Sequence, residues 1–241
     1  MIGVIGGNGV AATWRLQQLV EEELTRRGAF RDAHHPEMLI WQATQAPSRS
    51  MYLEGRGESF LDDYISIGRK MKECGCDILC MCCNTAHYFI KELEEGIGLP
   101  FINVLDEVAK RANSLNVHKV GIICSDGLRK TEIYNNSFAK YAPDSEIVYP
   151  DSKTQEIVTR GICNAKNTAR FTDRKNPNNP YFLFENVVEK MVGEDGCDAI
   201  VLGCTDINNV FNIILNRVHV IDSLQVIADS IISLTHSGDE S

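Results

Sequence analysis

Short apolar runs alternate with helix-period stretches along the chain. Runs at 2–6, 37–43, 77–82, 101–105, 119–124, 146–149, 198–203 and 217–221 predict eight strands. Between most of them, apolar residues recur at helical spacing. Leu16, Leu19, Val20 and Leu24 follow Ala11 and Ala12 in this way, and Gly28 supplies a stop signal. Strands that are apolar almost throughout are covered on both faces. The alternation therefore predicts an α/β fold with parallel sheets between layers of helix.

The pattern also repeats. Gly75-Cys76-Asp77, an apolar run and Cys83-Asn84-Thr85 are matched 121 residues later by Gly196-Cys197-Asp198, an apolar run and Cys204-Thr205-Asp206. Gly3-Val4-Ile5 leading to Gly9 resembles Gly121-Ile122-Ile123 leading to Gly127. Ile102-Asn103-Val104-Leu105-Asp106 resembles Val218-His219-Val220-Ile221-Asp222. Three matched pairs in one order predict two similar open parallel-sheet α/β domains of four strands each, facing one cleft. The first would comprise 1–105 with a C-terminal helix of about 223–241, and the second 106–222. Open parallel sheets bind ligands beyond the carboxyl ends of their strands. Each half would then bring its strand–Cys–helix corner to a single site.

Composition narrows the function classes. The 241 residues carry a formal net charge of −9, with 44% hydrophobic and 24% charged residues, an ordinary globular mixture. An acidic chain without runs of Lys or Arg is a poor polyanion binder, which argues against nucleic acid. No apolar run is long enough to span a bilayer, and no signal peptide is expected.

Nine cysteines is an odd number, and five of them (Cys74, Cys76, Cys80, Cys82 and Cys83) fall within ten residues. A disulfide scaffold would spread even-numbered cysteines through a short, loop-rich chain, so a reducing, cytoplasmic setting is expected. Cys74, Cys76, Cys80, Cys82, Cys124, Cys163 and Cys197 read as small buried hydrophobes. The Cys-x-Cys-x-x-x-Cys-x-Cys-Cys spacing is not a usual structural metal pattern, so no metal site is expected.

Cys83 and Cys204 are different, because the same thiol recurs at the same architectural position. A cysteine opening a helix has its thiolate stabilised by the dipole and by nearby N–H groups. Two such thiols on opposite sides of a small ligand suit two-base proton transfer, in which a thiolate removes a proton and a thiol protonates the other face. That chemistry inverts a stereocentre.

These residues resemble the aspartate/glutamate racemase family. The resemblance runs over nearly the whole chain. It rests on the Gly6-Gly7-Asn8-Gly9 turn, Gln45-Ala46-Pro47-Ser48-Arg49, Cys83-Asn84-Thr85-Ala86-His87, Lys166, Gly203-Cys204-Thr205-Asp206 and Ile221-Asp222-Ser223. The pattern is nearer the aspartate racemase branch, although Asn8 stands where that branch more often has Met, and Asp206 where it has Glu. The resemblance implies a cofactor-independent racemase of aspartate, with glutamate as a second candidate, using Cys83 and Cys204 as catalytic bases, and a homodimer. It implies that Arg49 grips the substrate's side-chain carboxylate and that Lys166 holds its other end. An Arg fork suits a carboxylate bidentately; the plainer readings of both residues are solvated surface cations.

Asn84, Thr85 and Thr205 are expected to bond the α-carboxylate and amino group. Ser125, in the turn matching Gly7-Asn8-Gly9, and Asn8 itself are candidate contacts. His87 could tune Cys83 or serve packing, and Asp206 could orient or deprotonate Cys204. The polar segment 164–180, with five Asn and two Pro, reads as a mobile loop that could close over the site or simply be solvated. Gly3 to Gly9 lacks the spacing of a dinucleotide fingerprint. An isomerase of a related dicarboxylate and a non-catalytic binding protein for acidic amino acids remain open alternatives.

Overall fold

The computed structural model describes residues 1–208 and 218–236. The chain divides into two compact units, Met1–Val104 with Leu224–Ser241, and Leu105–Ser223. Both are α/β.

In the first unit, strands β1 (Ile2–Gly6), β2 (Met38–Gln42) and β3 (Ile78–Met81) form a parallel sheet in the order β2-β1-β3. Around it lie α1 (Val10–Arg26), α2 (Arg49–Leu53), α3 (Leu61–Glu73) and α4 (Ile90–Ile97). Leu16, Leu19, Val20 and Leu24 of α1 are buried, as their spacing requires. Ile5, Phe60, Tyr64, Met71, Leu79 and Leu93 belong to one core cluster.

In the second unit, α5 (Val104–Ser114) leads into β4 (Lys119–Ile123), followed by α6 (Asp126–Thr131), α7 (Tyr134–Tyr141) and β5 (Glu146–Val148). The helices α8 (Ser152–Ala165) and α9 (Pro180–Gly193) precede β6 (Ala199–Leu202) and β7 (His219–Asp222). This parallel sheet has the order β5-β4-β6-β7. Val158, Phe184, Val187, Met191 and Ile200 fill its core. The final helix, α10 (Ser223–His236), returns the chain to the first unit.

One expected strand is absent from this arrangement. The run at 101–105 makes a single parallel bridge, Phe101 to Leu79, with Leu79 N donating to Pro100 O and Ile102 N to Leu79 O. Pro100 has no N–H to give, and α5 begins at Val104, so the chain leaves the sheet after one bridge. The equivalent run in the second unit lacks such a constraint and forms β7. Arg217, at the start of that expected run, and 237–241, the end of the expected C-terminal helix, lie outside the described residues.

The repeated Gly-Cys-Asp has a structural explanation. Gly75 and Gly196 turn the chain with φ of 94° and 74° after α3 and α9. Cys76 and Cys197 are buried. Asp77 accepts from the Met1 amine at 2.7 Å, and Asp198 accepts from the His118 and Lys119 amides at 2.9 Å each, so both carboxylates tie down the start of the central strand. The central strands also share a close approach. A Cβ on Gly3 would meet Leu79 at 2.4 Å and Cys76 Sγ at 3.2 Å, and one on Gly121 would meet Ile200 at 2.8 Å and Cys197 Sγ at 3.3 Å.

The Asn-rich segment is a largely exposed loop, as its composition predicts, braced by its own side chains. Thr168–Phe171 is a short 3-10 helix, with Asn167 accepting from Ala169 N at 2.8 Å. Asn164 donates to Asn178 O at 2.7 Å. The buried Asn179 donates to Thr172 O at 2.8 Å and caps α9 through Tyr181 N. Asparagine side chains replace backbone partners here, which is why the composition reads as loop.

Candidate active site

The cysteines sort by position. Cys76, Cys80, Cys82, Cys124 and Cys197 are buried. Burial pushes the thiols of Cys76, Cys80 and Cys124 above their ordinary range, and that of Cys197 up to about 11, which leaves these four protonated and inert. Cys74 and Cys163, expected inside, are exposed. Cys74 caps the C-terminus of α3 and Cys163 lies in the last turn of α8, so neither meets a core. Only Cys83 and Cys204 are intermediate in exposure.

Cys83 follows β3 in an extended conformation, φ −157° and ψ 108°. Each cysteine opens a helix at a strand end as expected, but a 3-10 helix and not an α-helix. Cys83 precedes a 3-10 helix, Asn84–Phe89, that runs on into α4. Cys204, also extended, precedes a three-residue 3-10 helix, Thr205–Ile207. Asn84, Thr85 and His87 are buried.

His87 is committed to backbone. Its Nδ1 lies 2.8 Å from Cys83 O and its Nε2 3.3 Å from Ile102 O. Both ring nitrogens face backbone carbonyls, and the Nδ1 contact is the shorter. The ring thus ties the cysteine corner to the chain after Phe101.

β1 runs beside β3, so the Gly6–Gly9 turn stands next to Cys83. There Asn8, 5% exposed, donates from Nδ2 to Ile5 O at 3.2 Å and to Tyr64 OH at 3.1 Å. Tyr64 comes from α3 and is fully buried. Burial pushes its phenol well above the ordinary tyrosine range, and both Arg49 and Cys83 lie within electrostatic reach of it. Arg49 opens α2 behind the Ser48 cap, and its Nη1 donates to Pro47 O at 3.0 Å.

In the second unit, β6 lies beside β4, which sets Cys204 next to the end of β4 and Ser125. Ser125 caps α6 by accepting from Leu128 N at 3.4 Å. Asp206, 5% exposed, lies 4.0 Å from Cys204 Sγ through Oδ2. The same carboxylate oxygen is 2.7 Å from Lys166 Nζ, at the C-terminal cap of α8. Thr205 is buried beside them. Gln155 of α8, also buried, donates to Cys124 O at 3.0 Å and so fixes the end of β4.

The structure thus gathers Asn8, Cys83 and Arg49 around Tyr64 in one unit, and Cys204, Asp206 and Lys166 in the other. Tyr64 and Gln155 were not singled out in the sequence. Their only signal is a polar group at a core-facing helix position, Tyr64 four residues after buried Phe60 and Gln155 three before buried Val158. Among the described residues, no group of three or more His, Cys, Asp or Glu side chains is placed to hold a metal ion. No helix among them is long and apolar enough to cross a membrane.

Comparison with known proteins agrees with this architecture. The structure is similar to the aspartate racemase of Picrophilus torridus, with a TM-score of 0.78 at 24% identity, covering 98% of this chain and 94% of that one. It is also similar to a glutamate racemase from Francisella tularensis solved with D-glutamate, with a TM-score of 0.60 at 18% identity, covering 98% and 81%. In sequence it is 22% identical over 236 residues to the broad specificity amino-acid racemase RacX of Bacillus subtilis, covering 97% of each. The family model for Asp/Glu/hydantoin racemases matches residues 2–231. The chain belongs to the Asp/Glu/hydantoin racemase family.

Proposed function

We propose that the protein is a racemase of acidic amino acids that interconverts L- and D-aspartate without pyridoxal phosphate or metal. The observation that carries this reading is the pair Cys83 and Cys204, two half-exposed thiols at matching strand ends among otherwise buried or peripheral cysteines. In the scheme, the thiolate of one cysteine takes the α-proton. The electron pair left behind spreads onto the α-carboxylate. The thiol of the other cysteine then delivers a proton to the opposite face of the α-carbon. Each turnover leaves the two protonation states exchanged. The scheme requires both thiols at one α-carbon.

Arg49 and Lys166 supply the positive charge that a net-acidic chain needs locally to hold a dicarboxylate. Arg49 takes the side-chain carboxylate through its fork and Lys166 the other end. Asn8, Asn84, Thr85, Ser125 and Thr205 supply neutral hydrogen bonds to the α-substituents. Asp206, between Lys166 and Cys204, carries the proton of that thiol to and from solvent. The description of the Bacillus subtilis relative as broad in specificity supports glutamate as a second substrate. An odd number of cysteines, nine, fits a reducing compartment, the cytoplasm, and the family resemblance suggests a homodimer.

Proton NMR of L-aspartate in deuterated water, with reduced protein and no added cofactor, tests the reading. Loss of the α-proton signal with formation of D-aspartate is expected. Absence of exchange from either enantiomer of aspartate and of glutamate would reject it.

A further inference from the structure

The Asn8 carboxamide is more constrained than a loop asparagine needs to be. Both hydrogens of Nδ2 are used, one on Ile5 O and one on Tyr64 OH. The amide plane is therefore fixed. Its acceptor, Oδ1, is buried and has no hydrogen-bond partner among the described residues. Leaving a buried acceptor unpaired forfeits its hydration without return, so a site that retains one is suited to a ligand that donates.

The second bond comes from far along the chain, since Tyr64 lies 56 residues from Asn8. Its ring is fully buried and packs edge-on against Phe60, with centroids 4.9 Å apart. The hydroxyl is thereby held at one place beside the β1 turn. Arg49 and Cys83, which the racemase reading assigns to the side-chain carboxylate and the α-proton, both act electrostatically on this phenol. The donor shared by all amino-acid substrates, and absent from their desamino analogues, is the α-ammonium.

We infer that Tyr64 is a positioning residue that, through Asn8, holds the Oδ1 acceptor toward the ammonium group of the amino-acid substrate. This rests on the racemase reading and deepens it. Without the hydroxyl, the amide keeps one tether at Ile5 O and can swing about it, so recognition of the ammonium weakens while the carboxylate contacts stay in place.

The test uses Tyr64→Phe, which keeps the ring and removes the oxygen. Steady-state racemisation of aspartate is compared with competitive inhibition by succinate, which has both carboxylates and no ammonium. Loss of one hydrogen bond predicts a rise of about 3- to 10-fold in KM for aspartate, with kcat within about 2-fold. The inhibition constant for succinate is expected to be unchanged, which also shows that the variant is folded. Asn8→Ala should raise KM at least as much, and the double variant should be no worse than Asn8→Ala alone. Equal weakening of aspartate and succinate, additive effects in the double variant, or wild-type kinetics in Tyr64→Phe would overturn the inference and leave the racemase reading standing. A wild-type protein that exchanges no α-proton would overturn both.

Discussion

After β3, Cys83 is followed by His87, whose ring spans the carbonyls of Cys83 and Ile102; after β6, Cys204 is followed by Asp206, whose carboxylate is paired with Lys166. The strands, their order about the central strand and the extended cysteine are shared by the two units. The side chains behind them differ. One corner is held by a ring on backbone, and the other carries an acid 4.0 Å from its sulfur. Duplication has therefore kept the geometry and let the electrostatics diverge. A two-base racemase can use such a difference, because its two cysteines begin each turnover in opposite protonation states.

The largest expected effect breaks the chemical pair. Cys83→Ser and Cys204→Ser should each lower racemisation by about 10²–10⁴-fold or more, since a hydroxyl is a far weaker acid than a thiol. Each variant should still exchange the α-proton of one enantiomer only, and not the same one. Near-wild-type racemisation in both would remove the two-base scheme.

The shared scaffold is tested next. Gly3→Ala and Gly121→Ala place a methyl group in equivalent tight contacts, and each should cost about 1–3 kcal/mol of stability, read from denaturant unfolding. A large loss in one and none in the other would show that the central strands are not packed alike.

Asp206→Asn probes the difference between the corners. It should lower kcat on the order of 10-fold, below what a directly transferring acid or base contributes. Enantiomers have equal free energy, so kcat/KM must fall equally in both directions. The asymmetry should instead appear as a changed isotope effect for α-deuterated substrate of one hand. Equal isotope effects for both hands, before and after the change, would detach Asp206 from Cys204.

The smallest effect belongs to Lys166→Met. The lysine side chain is half exposed at 51%, so water and salt screen its charge although the carboxylate it meets is buried, and a rise of about 2- to 5-fold in KM that shrinks with added salt is expected. A salt-independent loss of kcat would instead place the lysine in the proton path.

Much of this was legible in the chain. Gly3 with Gly121, Cys76 with Cys197 and Cys83 with Cys204 reveal the duplication because equivalent tight contacts and turns demand the same residues at the same spacing. The run at 101–105 was misread as a strand because an apolar run does not report that Pro100 withholds a donor and that α5 starts three residues after Phe101. In the Asn-rich segment the composition reported an exposed polar loop but not how that loop is braced. Its side chains fold the backbone locally, and composition records only that they are polar.

By itself, the sequence determined the α/β class, the repeat and the two cysteines that stand apart from the buried ones, since periodicity and residue type are local properties. Only the tertiary structure joined Asn8 to Tyr64 and Lys166 to Asp206, 56 and 40 residues apart. Those partnerships depend on where α3 and α8 come to rest against their sheets. That placement follows from the packing of buried side chains throughout each unit, and no pattern within a single element encodes it.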